Sequence, residues 1–260
     1  MNTVTTLTLS AALLAIQANA AVYSHYSFDA DYSDSSGNSL NGTLTDVGTA
    51  GNSGIISTAG DFKFGGGAMN FSADRDYVAV PSKTFSSGVA YTIAFWARKS
   101  AGDTGQSADW DMVIGDVTNT NFFIGLNDVT GTGFRWRSSS SAVDRQADFA
   151  VAKDYNWHHY AVVASGTTIT LYVDGSLFGA DLNNLTGFTF NAIGEAYTTA
   201  ADFDFNGQID EMWIFDEALT ATSVSNLTTF NSLVPEPSSW VMLASTGLLI
   251  LTHRRRSAAS

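Results

Sequence analysis

Trp157 to Ser176 reads WHHYAVVASGTTITLYVDGS, and this stretch decides the fold. Ala161 to Ala164 is apolar and strand-favouring, and Ser165-Gly166-Thr167 is a turn cluster. Ile169-Thr170-Leu171-Tyr172-Val173 then alternates, which places Ile169, Leu171 and Val173 on one sheet face. Asp174-Gly175 follows, a dipeptide suited to positive φ at both centres of a type I′ turn. Ser176-Leu177-Phe178 folds back as the next strand. Two consecutive hairpins form the kernel of an antiparallel sheet.

Strand signals continue on both sides of this kernel. Upstream lie Ala21 to Phe28, Ile55-Ile56, Ala68 to Phe71, Tyr77 to Pro81 and Tyr91 to Arg98. In the last of these, Tyr91, Ile93 and Phe95 share one face and Trp96 takes the other. Met112 to Ile114, Asn121 to Leu126 and Gly133 to Ser138 come next, and Phe188 to Ile193 and Gln208 to Phe215 close the set. Ala218 to Leu227 reads as one short helix, with Thr220 or Thr222 as its N-cap. Many short strands and no long helix predict an all-β sandwich or jelly roll. No internal repeat or long linker divides residues 21–233, so they read as one domain.

Composition narrows the class. The 260 residues include no cysteine, so an exported form has no disulfide to lean on and relies on a large core or a bound metal. The net charge is −13, which argues against nucleic acid and anionic lipid as partners and is compatible with calcium. Aspartate greatly outnumbers glutamate, a bias towards turns and oxygen-rich loops.

Trp157-His158-His159-x-Ala161-Val162-Val163 followed by Leu171-Tyr172-Val173-Asp174-Gly175 resembles the laminin G-like domains of the concanavalin A-like superfamily. Similar likenesses run through Tyr26 to Asp29 with Asp34 to Asn38, Tyr77 to Pro81, Tyr91 to Trp96, and Phe205 to Glu211 with Ala218-Leu219. Trp213 departs from the family, which more often has a polar or basic residue there. The resemblance implies a jelly-roll sandwich of two antiparallel sheets. It also implies a structural calcium tying the first strand and its loop to the last strand, with Asp29, Asp34, Asn38 and Asp210 at the matching positions. Those residue types suit a cation that takes 6–8 oxygen ligands. The competing reading of the Asp29 to Thr43 loop is a cluster of Asx-turns on the surface.

Both ends read as addresses. Leu7 to Ile16 is apolar and Ala18-Asn19-Ala20 has the form of a signal-peptidase site, although no basic residue precedes the apolar run. Residues 1–20 are therefore expected to be a signal peptide, with Ala21 opening the mature chain. At the other end, Pro235-Glu236-Pro237 precedes an uncharged stretch from Trp240 to Thr252 and then Arg254-Arg255-Arg256. Residues 234–260 resemble the PEP-CTERM sorting signal. That resemblance implies a Gram-negative host, an exosortase-type processing protease as partner, and a short membrane-crossing helix before processing. The arginines would stay cytoplasmic and leave the domain outside.

Catalytic signals are weak. Glycoside hydrolysis needs a placed carboxylate pair, but Asp210 and Glu211 are adjacent and on a regular strand would face opposite sides. Laminarinase-type enzymes of the superfamily carry an E-x-D-x-E strand, and this sequence has none. His158 and His159 likewise alternate, one predicted to be packed and one at the surface. With His25 and His253 the only others, histidine cannot build a zinc cluster. Sugar binding needs an aromatic platform, for which Trp110, Trp136 and Trp213 are the candidates. Met212 and Ile214 should face the core and turn Trp213 outward. The expectation is a secreted or surface-anchored, non-catalytic module that binds a glycan or another component of the exopolysaccharide matrix. The alternatives are a polysaccharide-degrading enzyme with an unrecognised site and a purely structural surface protein.

Overall fold

The computed structural model describes residues 20–72, 75–101, 110–119, 121–127, 133–138, 146–151, 154–182, 186–196 and 204–233. Residues 1–19 and 234–260, which hold most of the expected signal peptide and the whole expected sorting segment, lie outside the described residues. Within them the chain forms β1 (Val22–Tyr26), β2 (Thr43–Thr45), β3 (Gly54–Ile56), β4 (Ala68–Ser72) and β5 (Tyr77–Phe85). Then come β6 (Tyr91–Lys99), β7 (Trp110–Gly115), β8 (Phe123–Asn127), β9 (Phe134–Arg137) and β10 (Gln146–Phe149). β11 (His158–Ser165), β12 (Thr168–Val173), β13 (Ser176–Asp181), β14 (Phe188–Ile193), β15 (Asn206–Phe215) and α1 (Ala221–Phe230) complete the order.

All ladders are antiparallel, in two sheets. An eight-stranded sheet runs β13-β12-β11-β6-β15-β4-β3, with β1 also paired to β15, and a seven-stranded sheet runs β10-β9-β8-β7-β14-β5-β2. The kernel hairpins form as read. Asp174 and Gly175 have φ of 50° and 77°, as a type I′ turn requires. Ile169 and Leu171 are fully buried, with Val173 packed beside them.

The main core lies between the sheets. Tyr91, Ile93 and Phe95 of β6, Tyr160 and Val162 of β11, and Met212 and Ile214 of β15 meet Phe134, Trp136, Phe188 and Phe190 from the other sheet. A second apolar cluster lies on the outer face of the eight-stranded sheet, where Ala94, Ala161, Val163 and Phe215 carry Val224 and Leu227 of α1. Thr220 caps that helix by accepting from the Ser223 backbone N–H.

β5 continues past the expected stop at Pro81. A proline lacks the N–H that a ladder needs, and the β5–β14 register slips between Phe190 and Ala192 at that level, so the missing donor falls at a bulge. The short strands β2 and β10 were not expected from the sequence.

Candidate functional site

The region predicted to carry chemistry is the middle of β15, and its geometry comes from a bulge. Asp210 pairs with Trp96 and Trp213 with Ala94, so β15 spends one residue more than β6 over this stretch. Glu211 absorbs the irregularity with a φ of 52°. Ile209 and Met212 both point into the core, which turns Asp210 and Glu211 together to the outer face. The expectation that these carboxylates face opposite sides is therefore corrected: the extra residue shifts the phase of the alternation.

Each carboxylate is buried and engaged separately. Asp210 is 0% exposed, and its Oδ2 accepts the backbone N–H groups of Lys63 at 2.7 Å and Phe64 at 3.0 Å. Its Oδ1 is buried with no hydrogen-bond partner. Burial pushes the Asp210 carboxyl up to about 7, the charge of Glu211 adds to this, and the donated N–H groups of Phe64 and Lys63 oppose it. Glu211 Oε2 accepts from His25 Nε2 at 2.5 Å. The His25 ring lies flat on Trp213, with centroids 3.5 Å apart and planes 11° from parallel.

Trp213 continues this stack onto Phe215 and donates its indole N–H to Asn231 Oδ1 at 2.9 Å. Asn231 is the left-handed C-cap of α1. The indole thus closes the seam between helix and sheet, and its polar atom is already used. Trp213 is half-buried and engaged with α1 and His25, which favours a packing role over a free sugar platform. Trp136, by contrast, is corrected: it is fully buried in the core and donates to the Tyr91 hydroxyl at 2.7 Å. Arg135 and Arg137 flank it, and their alternation with Phe134 and Trp136 was the sequence signal for an inward indole. Trp110 opens β7, and its side chain lies outside the described residues.

The four expected calcium ligands each carry hydrogen bonds of their own. Asp34 organises its own loop: Oδ1 accepts the His25 and Ser36 N–H groups, and Oδ2 accepts the Ser36 hydroxyl and the Leu40 N–H. Burial works against its ionisation, but these donors outweigh it and hold the carboxyl below its usual range. Asn38 spends its side-chain N–H groups on the carbonyls of Val22 and Tyr23. Asp34 makes the Asx-turn that the surface reading expects, whereas Asn38 ties the loop back to β1.

Asp29 and Asp210 both grip the turn that runs from Lys63 to Gly66. Asp29 Oδ1 accepts from Gly66, two residues after the Phe64 that Asp210 holds. At Gly67 a Cβ would lie 2.7 Å from Asp29 O, 2.8 Å from Phe28 O and 3.0 Å from Ile56 O. Only glycine lets these carbonyls crowd so closely. Among the described residues no group of three or more His, Cys, Asp or Glu side chains is placed to hold a metal ion.

The kernel histidines divide as predicted. His159 is buried under α1, where Nδ1 lies 2.8 Å from Thr228 Oγ1, and burial depresses its imidazole to about 4. His158 is partly exposed and bridges Asp174 at 2.7 Å and Asp154 at 3.0 Å. Burial disfavours its charge, but the two carboxylates prevail and raise its pKa.

Among curated proteins none matches the chain. Domain 4 of AbnA, an extracellular arabinanase of Geobacillus stearothermophilus solved in complex with arabinotriose, superposes with a TM-score of 0.61 at 24% identity, covering 81% of this chain and 99% of that one. The binding domain of botulinum neurotoxin serotype G gives 0.56 at 17% identity, covering 81% and 51%. That of neurotoxin DC, solved in complex with SialylT, gives 0.54 at 16% identity, covering 83% and 52%. The chain thus spans about half the length of the neurotoxin domains. These likenesses establish the shared sandwich. The family model described as the concanavalin A-like lectin/glucanases superfamily, of laminin G type, matches residues 71–225. With more than half of its length so matched and two antiparallel sheets around one core, the chain belongs to that family.

Proposed function

We propose that this chain is a non-catalytic recognition module, exported or held at the cell surface, whose ligand is a glycan or another component of an extracellular polysaccharide matrix. The observation that carries this is the correspondence with nearly the whole of a discrete domain that was solved holding arabinotriose. The chemistry of β15 supports it. Asp210 is held by two backbone amides and Glu211 by His25, both under protein, so this acid pair cannot flank a glycosidic bond in solvent. The test is a glycan array probed with the purified protein, with and without calcium. Selective binding to one polysaccharide class is expected, and an array without a single specific signal would remove the glycan reading.

Calcium enters the same proposal as a structural ion. Asp210 has a buried oxygen without a partner, Asp29 grips the adjoining turn, and main-chain carbonyls crowd Gly67. These hard oxygens fit calcium, whereas both Asp34 oxygens already accept from four donors. When bound, the ion would supply positive charge that offsets the buried carboxylate and joins β1 and its loop to β15.

Export and processing complete the proposal. Cleavage after Ala20 would turn the Ala21 amide, which donates to Glu217 Oε1 at 2.7 Å, into an ammonium facing that carboxylate. An exosortase-type protease would then act near Pro235-Glu236-Pro237. Intact mass of the secreted form should give a chain beginning at Ala21 and lacking Arg254, Arg255 and Arg256.

A further inference from the structure

β13 ends the eight-stranded sheet, and among the described residues no strand pairs with its outer side. The other ends of the two sheet paths are blunted. β2 and β3 have three residues each, and β10 has four, carrying Gln146 and an Asp148 locked to Arg135. β13 has six residues and no charge before Asp181.

Its side chains are unusual for an edge. Leu177, Phe178 and Leu182 are 64%, 45% and 68% exposed, three of the seven large apolar residues exposed among the described residues. A bulge arranges them. Gly179 pairs with Leu171 and faces inward, close to the Phe149 ring, while Leu177 pairs with Tyr172 on the outer face. The extra residue, Phe178, therefore turns outward beside Leu177. Beyond it the alternation resumes, with Ala180 and Leu182 outward and Asp181 inward.

This pattern is complementary to itself. About Ala180, the outward residues at two places on either side are Phe178 and Leu182, and the inward neighbours are Gly179 and Asp181. Two antiparallel copies related by a two-fold axis at Ala180 would set each Phe178 against the other copy's Leu182. Each Asp181 would lie opposite a glycine, so the strand's one charge never meets its twin. A two-fold interface must be self-complementary in this way, and an exposed edge supplies the unpaired N–H and C=O groups that a further strand satisfies. We propose that β13 is a self-association edge, through which two copies of this chain join their eight-stranded sheets into one. Because each copy carries a large negative charge, added salt should strengthen the pairing by screening repulsion.

The full chain contains no cysteine, so an introduced one reports a single contact. Ala180→Cys should form a disulfide-linked dimer under mild oxidation at least ten-fold faster than Thr167→Cys, which sits on an exposed turn remote from the axis. Adding Phe178→Asp and Leu182→Asp should abolish that cross-link while leaving the melting temperature unchanged, and should render the chain monomeric in sedimentation. Equal cross-linking from both cysteines, or an Ala180→Cys chain that stays reduced, would overturn the proposal. Ala180→Cys against Thr167→Cys decides it alone should the double aspartate variant fail to fold.

Discussion

In β15 one extra residue turns Asp210 and Glu211 to the outer face; in β13 one extra residue turns Leu177 and Phe178 to the same face. The first bulge lies in a strand paired on both sides and roofed by the Lys63–Gly67 turn, His25 and Trp213. Its polar groups are buried, and nearly every one has a partner. The second lies on a sheet edge, and its apolar groups are exposed. The same backbone device thus locks a seam where neighbours surround it and leaves an adhesive strip where one side is open. The difference teaches where a substitution should be felt: at β15 in folding, at β13 in association.

The sharpest way to break this contrast is at His25. Removing one partner of a buried hydrogen bond strands the other and here also removes the ring stacked on Trp213, so His25→Ala should cost about 3 kcal/mol in chemical denaturation. A second change, Glu211→Gln, should recover part of the loss. If His25→Ala is neutral, the β15 seam is not held by that pair. Trp213→Ala comes next. The indole is only half-buried, so a loss of about 3 kcal/mol is expected, at the low end for a large aromatic. A domain that melts unchanged without it would return Trp213 to the ligand candidates.

Calcium should come third. An ion that binds only the folded state at one hundred times its Kd raises stability by about 2.7 kcal/mol. Asp210→Ala should erase most of that increment, Asp29→Ala a share, and Asp34→Ala none, because Asp34 is committed to its own loop. Calorimetry with and without a chelator reads all three.

A pH titration of stability probes the packing of α1 over His159. Above the ordinary histidine pKa of about 6.5 the ring is neutral in both states and contributes nothing. Below it the unfolded chain takes up a proton that buried His159 refuses until about pH 4, so stability falls as pH drops through this window. The slope from this group is at most about 1.4 kcal/mol per pH unit. His158 works in the opposite sense, since its raised pKa stabilises the fold at low pH and that support fades as pH rises. His159→Gln should flatten the acid-side loss, and an unaltered profile would place the acid sensitivity elsewhere. The smallest effect belongs to β13, where Phe178→Asp should shift stability by less than about 0.5 kcal/mol.

Much of this fold was legible because its signals are local. The Asp174-Gly175 turn, the Thr220 cap and the alternation in β6 and β12 each rest on a few neighbouring residues. The bulges were not legible. A period-two pattern carries no mark of where its phase slips, and nothing in Asp210-Glu211-Met212 announces that Glu211 takes a positive φ. β2 and β10 escaped notice because three or four half-polar residues hold no pattern and depend on partners far away in sequence. Asp34 was readable as a loop organiser or as a metal ligand, and its four donors, which only the fold reveals, support the first. Trp136 was misjudged as a platform because its side-chain type was given more weight than the parity set by Arg135 and Arg137.

The central claim is recognition without turnover. It is tested most directly by incubating the purified protein with insoluble polysaccharides and assaying one sample for both retained protein and released product. The account predicts retention on at least one polysaccharide, with no new reducing ends and no unsaturated sugar in the supernatant. Steady release of either product, or no retention on any polysaccharide, would contradict it.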